Sequence, residues 1–266
     1  MSSDHIERPT PADAFVPGLL AGRVAFVAGG SSGINLAIAQ RFAEKGARVM
    51  LMSRSAEKLD EATRSITEAG GVADFAAGDV RDPAAVAAAL AACRERFGTI
   101  DIVLSGAAGN FLAPASELSP NGFRTVIEID LIGTFNVLRH AHEHLRTPGA
   151  SIISITAPQA VKPMVEQVHA GAAKAGVNML TKVLAAEWGQ HGVRVNAISP
   201  GFIAGTEGTH RLIDTAAKKE SLLATIPLGR LGQLREIADV ALFLASDHSS
   251  YVTGSIFECD GGLLVG

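Results

Sequence analysis

Four places in this chain carry residue types that can do chemistry. The first is Gly29-Gly30-Ser31-Ser32-Gly33-Ile34, which follows a short apolar run. Glycines there let the backbone turn sharply and come close to a ligand, and apolar residues at helical spacing begin at Ile34. A helix starting at such a turn aims free N–H groups and the positive end of its dipole at the turn, which suits a phosphate. The pattern describes a dinucleotide pyrophosphate site or an ordinary strand–turn–helix corner; Asn35 stands where a last glycine is usual. The second is Ser53-Arg54. An acid at this point of a dinucleotide fold binds ribose hydroxyls and repels a 2′-phosphate; a hydroxyl beside a guanidinium favours that phosphate, hence NADPH over NADH, unless Arg54 is simply solvated. The third is Asp130, between Ile129 and Leu131. A carboxylate among apolar neighbours is either held by structural partners or functional. The fourth is Lys174, whose Ala and Gly neighbours leave room for a ligand; the alternative is a lysine snorkelling to the surface.

These residues need a scaffold, and the pattern supplies one. Apolar runs predict strands at 24–28, 48–52, 72–76, 102–104, 151–155, 193–198 and 256–258. Helices are expected from 34, and at 56–69, 83–97, 120–146, 168–190 and 236–244. Strict alternation of strand and helix predicts an α/β fold with a doubly wound, parallel, seven-stranded sheet in a single domain. Ligands of such sheets sit beyond the carboxyl ends of the strands, where Gly30, Ser105, Ala157 and Pro200 fall. Asp79-Val80 follows the third strand and is placed to flank an adenine, or Asp79 is a plain loop acid or helix cap. Small residues around Ala107 allow a second close approach to a cofactor. Asn110 and Phe111 come next and face a substrate in this reading. Residues 1–18 read as an N-terminal arm, 19–266 as the dinucleotide-binding domain, and 202–221, which lack clean periodicity, as a substrate lid.

Composition narrows the classes. The 266 residues are 47% hydrophobic, enough for one large covered sheet. A net charge of −4 without a basic run makes nucleic acid an unsuitable partner. No apolar run is long enough to span a bilayer, and acids precede the first apolar segment, so neither a membrane span nor a signal peptide is expected. Cys93 and Cys259 show no metal-ligand spacing, and His140, His142 and His144 lack a completing acid or thiol, so no metal site is expected. A reduced, cytoplasmic setting follows.

From about Leu19 to Gly262 the chain resembles the short-chain dehydrogenase/reductase family, a Rossmann fold. The resemblance rests on Gly29…Gly33-Ile34, Asp79-Val80, Ala107-Ala108-Gly109, Lys174, Arg194-Val195-Asn196 with Pro200-Gly201, and Gly261-Gly262. The family's usual site is Ser, Tyr and Lys with an Asn on the neighbouring helix. Here only Lys174 is kept: the Tyr position is Ala170, the Ser position Ala157 and the Asn position Asp130, while the single tyrosine, Tyr251, lies in a region the family uses structurally. One branch shares this altered set. The chain resembles the 2,4-dienoyl-CoA reductases, most closely the peroxisomal type, through residues 107–112, Ile129-Asp130 with residues 133–137, Gln167-Val168-His169-Ala170-Gly171 and Gly205-Thr206-Glu207-Gly208.

That resemblance implies NADPH-dependent reduction of a 2,4-dienoyl-CoA thioester to the 3-enoyl-CoA, a step of unsaturated fatty acid β-oxidation. Hydride reaching the δ carbon leaves an extended enolate, so no acid need protonate a carbonyl oxygen; a water positioned by Asp130 supplies the α proton. Lys174 holds the nicotinamide ribose and joins Asp130 in a network. Gly29, Ser31, Ser32, Gly33 and Ile34 line the phosphate turn; Ser53 and Arg54 meet the 2′-phosphate; Asp79, Val80 and Ala107 serve the adenosine half; Pro200 and Ile203 offer backbone groups to the nicotinamide amide. Asn110, Phe111 and His169 are substrate candidates, His169 being equally a satisfied core histidine. The helices at 125–144 and 168–190 imply a homotetramer. The tail Leu263-Leu264-Val265-Gly266 carries no peroxisomal address, which implies a bacterial-style cytoplasmic enzyme. The alternatives are a reductase for another enoyl or carbonyl substrate and an idle NADPH-binding scaffold.

Overall fold

The computed structural model describes residues 13–212 and 215–265. Seven strands, β1 (Val24–Ala28), β2 (Arg48–Ser53), β3 (Val72–Ala77), β4 (Ile102–Ser105), β5 (Ser151–Ile155), β6 (Arg194–Pro200) and β7 (Ile256–Cys259), form one sheet in the order β3-β2-β1-β4-β5-β6-β7. Every neighbouring pair is parallel. The central strands read as unbroken apolar runs because both of their faces are covered. In β1, Ala25 and Val27 pack with Ile38 and Phe42 of α1 (Gly33–Glu44) and Leu242 of α9 (Leu234–Ala245). Val24 and Phe26 point the other way, toward Leu90 of α3 (Pro83–Phe97), Leu138 of α5 (Gly133–Ala141) and Leu184 of α6 (Val168–Trp188). The sheet with helices on both faces is a single Rossmann-like domain. After β3 at one edge the chain crosses through α3 to pair β4 with the far side of β1. The crevice at that reversal is where open α/β sheets bind ligands.

Two segments differ from the sequence expectation. The single helix predicted at 120–146 is α4 (Pro120–Ile127), a π turn at Glu128–Ile132, then α5, then a 3₁₀ turn at His142–His144. The Gly133 N–H donates to the carbonyl of Glu128, a span of five residues. Apolar residues continue through the wide turn, so periodicity alone does not mark it. Residues 202–221, expected to be irregular, hold α7 (Glu207–Leu212) and most of α8 (Ala216–Ala224). No residue of α8 is buried, so it has no apolar stripe to read.

Of the N-terminal arm, residues 1–12 lie outside the described part. Its last residues are tied down rather than loose. Asp13 binds Arg41 at 2.6 Å and Lys45 at 2.6 Å, and Arg41 also meets Glu44 at 2.8 Å and Asp239 of α9 at 2.7 Å. Among the described residues no helix is long and apolar enough to cross a membrane.

Candidate active site

The phosphate turn is built as a cradle. Gly29 adopts φ 80°, and a Cβ on it would lie 2.7 Å from the Ala107 nitrogen. At Gly106 a Cβ would lie 2.2 Å from Asn35 Oδ1. These approaches explain the expectation made for Gly29 and Ala107, and they give Asn35 a role that the motif did not suggest. Its Nδ2 donates to the carbonyls of Gly106 at 2.7 Å and Gly29 at 3.2 Å, stapling the turn after β1 to the loop after β4. Where the motif usually has a last glycine, the Asn35 side chain fills the space and bonds across it. Ser32 precedes α1 without a side-chain cap, leaving the N–H groups of Gly33 and Ile34 turned toward the cradle.

The adenosine end is likewise assembled. Ser53 Oγ is buried at the end of β2 with no hydrogen-bond partner among the described residues, and Arg54 beside it is exposed. An orphaned hydroxyl next to an open guanidinium fits a phosphate on the 2′ position. Asp79 follows β3, where the Arg81 guanidinium forks onto it at 2.6 Å and holds its carboxyl below the usual carboxylate range, with Arg54 adding a weaker field. Arg81 escaped the sequence reading, which gave its neighbour Asp79 no partner. Val80 is buried against Gly133, and its carbonyl accepts from Asn136 at 2.9 Å, locking the β3–α3 loop to α5. Pro200 ends β6, and Ile203 is buried with a backbone bridge to Gly232.

The structure brings Asp130 and Lys174 together. Asp130 lies inside the π turn and is 1% exposed; Lys174 of α6 is 6% exposed. Lys174 Nζ is 3.2 Å from Asp130 Oδ2 and donates to the Ile155 carbonyl at the end of β5 at 3.0 Å. The other carboxylate oxygen accepts from the Gly109 N–H at 2.8 Å. Thr134, one turn on, donates to the Asp130 carbonyl at 2.7 Å and accepts from Ser105 Oγ at 3.3 Å. The π turn places the carboxylate, the β4 loop fixes one oxygen and the lysine holds the other. One ammonium proton of Lys174 is left for a ligand.

Two residues past Ile155, at Ala157, a cavity of about 180 Å³ opens, lined also by Phe111, Gln159, Gln167, Phe202 and Thr206 among others; Asp130 and Lys174 do not line it. Its walls are mostly apolar side chains. One polar strap crosses it: Asn110 and Gln159 both donate to Gln167 Oε1, at 2.9 and 3.1 Å. Gln167 entered the sequence reading only as part of a family motif and Gln159 not at all; amides in loops carry no periodic signal. Phe111 lines the cavity. His169 does not: it is fully buried behind Phe111, with ring centroids 4.6 Å apart. Ala170 is buried and Ala157 lines the cavity, so no hydroxyl stands at either family position. Tyr251 is fully exposed.

A family profile described as Enoyl-(Acyl carrier protein) reductase matches residues 28–264. The chain is 45% identical over 250 residues to the peroxisomal 2,4-dienoyl-CoA reductase, (3E)-enoyl-CoA-producing, of Rattus norvegicus, covering 93% of this chain and 86% of the rat protein. It is 39% identical over 259 residues to the protein of that name from Arabidopsis thaliana, covering 94% and 87%. Among solved structures, a gluconate 5-dehydrogenase from Burkholderia cenocepacia, crystallised with NADP and tartrate, aligns at TM-score 0.87 and 34% identity over 92% of this chain and 96% of that one. With these matches spanning sequence and fold alike, the chain belongs to the short-chain dehydrogenase/reductase family of oxidoreductases.

Proposed function

We propose that this protein reduces 2,4-dienoyl-CoA thioesters to 3-enoyl-CoA with NADPH. The observation that carries the reading is the buried Asp130–Lys174 pair in a site with no hydroxyl acid. Such a site cannot protonate an alkoxide through a tyrosine, but a conjugated thioester does not ask it to. NADPH, when bound, supplies hydride to the δ carbon of the thioester. Lys174 presents its remaining N–H toward the ribose and places positive charge beside the reacting centre. Asp130, held by Gly109 and Lys174, orients a water toward the α carbon. Taking a proton from that water restores the thioester carbonyl and leaves the double bond between the β and γ carbons. Gly29, Ser31, Ser32, Gly33 and Ile34 hold the pyrophosphate, Ser53 and Arg54 the 2′-phosphate, Asp79, Val80 and Ala107 the adenosine half, and Pro200 and Ile203 the nicotinamide amide. Asn110 and Phe111 face the acyl thioester, and α7 and α8 act as its lid.

Ile132 and Phe135 of one segment and Val168, Met179 and Val183 of α6 leave apolar side chains exposed. These helices pair subunits in a homotetramer in this reading. A cytoplasmic setting remains our proposal, alongside relatives whose names place them in peroxisomes.

The test is loss of absorbance with 2,4-hexadienoyl-CoA and NADPH. Turnover on a ketone alone points to another reductase chemistry, and tight NADPH binding without turnover to an idle scaffold. Arg54→Ala is expected to weaken NADPH about tenfold while leaving NADH unchanged, since one charge-assisted contact is lost; equal losses for both nucleotides remove Arg54 from the 2′-phosphate.

A further inference from the structure

The proposed reaction leaves one buried polar side chain without a task. His169 is the second residue of α6, and both of its ring nitrogens are buried without a hydrogen-bond partner among the described residues. Packing does not explain an imidazole there. A phenyl ring would fill the same space without stranding two polar atoms. What covers the ring is Phe111, tilted 39° to it, and Phe111 is 39% exposed and lines the acyl cavity. Phe111 also reaches the first turn of α4 at Gly122, where an added Cβ would lie 3.1 Å from the phenyl Cζ. The phenyl ring thus touches the buried histidine, the cavity and a side-chain-free turn.

The reaction has a matching need. When hydride reaches the δ carbon, the electron pair moves through both double bonds onto the thioester oxygen. That oxygen requires a donor where its charge develops. The two positions that carry hydroxyls elsewhere in the family are Ala157 and Ala170, and two of the three Lys174 protons are committed to Asp130 and Ile155. His169 adjoins Ala170 in sequence and carries an N–H in either protonation state.

We propose that His169 donates a hydrogen bond to the thioester oxygen once the incoming acyl group turns Phe111 aside. It keeps its proton throughout. The α proton still comes from water, and the hydroxide left behind takes a proton from solvent, so the net change is one hydride and one proton added. This rests on the dienoyl-thioester reading above.

The experiment compares wild type, His169→Phe and His169→Gln on 2,4-hexadienoyl-CoA. His169→Phe keeps a ring beneath Phe111 and is expected to lose about 100-fold in kcat. Its NADPH affinity stays within about twofold and its Tm is unchanged or higher. His169→Gln, which restores a donor, recovers at least about tenfold of the loss. In ¹⁵N-histidine spectra, one ring nitrogen of the wild type shifts when hexanoyl-CoA and NADP⁺ are added together. A His169→Phe enzyme with wild-type kcat overturns the proposal, as does a slow one that has lost Tm and is not rescued by glutamine. A wild type silent on the dienoyl thioester but active on a ketone overturns the parent reading instead.

Discussion

Two buried ion clusters sit on opposite sides of this sheet, and they are built to different rules. Around Arg41, 2% exposed, three carboxylates converge: Asp13 from the arm, Glu44 from its own helix and Asp239 from α9. Every arm of the guanidinium is used, and Phe15 lies over its face at 5.6 Å. Around Lys174 there is one carboxylate, one carbonyl and a spare proton. The first cluster is closed and joins α1, α9 and the chain entry. The second is left one contact short. A buried charge ringed by three carboxylates from separate segments holds a fold together; one that meets a single carboxylate keeps charge to act on a ligand.

The largest expected effect tests the open cluster. Asp130→Ala is expected to keep NADPH binding, followed by fluorescence titration, and to lose about 1000-fold in kcat, as for a group that governs proton delivery. Full rate in that variant would erase the contrast. Next is the closed cluster. Arg41→Met strands three acids, all able to reach water, and is expected to cost about 3 kcal/mol in urea denaturation. Its kcat at 25 °C should stay within about twofold. A loss of kcat with intact stability would place Arg41 in the wrong class.

The smallest effect is one of pH. Arg41 and Lys45 hydrogen bonds hold the Asp13 carboxyl far below its ordinary 3.8. The unfolded chain therefore takes up this proton first. The clamp's stabilisation is complete above about pH 5 and fades as pH falls through 4 and below. Asp13→Asn should lower Tm by about 2 °C at pH 7, with the gap closing in acid. A gap of unchanged size between about pH 6 and pH 2 would show that the clamp does not depend on that charge.

The sheet was readable because its strands are short apolar runs that alternate with longer segments suited to helices. The cradle was readable in its glycines but not in Asn35, which looks like a defect in the motif until its amide is seen bonding two carbonyls. Asp130 and Lys174 lie forty-four residues apart; each stood out among its own neighbours, but no local pattern joins them, and only the family's habit suggested that they act as a pair. The amides of Gln159 and Gln167 and the burial of His169 are tertiary facts, set by which loops meet above the sheet.

The wide turn at Glu128–Ile132 also decides what the outside of the subunit looks like. In an unbroken helix, residues nine apart face opposite ways, since each step rotates by about 100°. Phe123 and Ile132 are such a pair, and both are exposed. One surplus residue in the turn brings them to within about 80° of each other on the helix surface, with Phe135 exposed about a turn beyond Ile132. The helix thus changes reading frame at the residue that carries the acid. Deleting a single residue there is expected to swing the carboxylate away from Lys174 and to part the exposed apolar side chains, so one turn sets both the place of the acid and the shape of that surface.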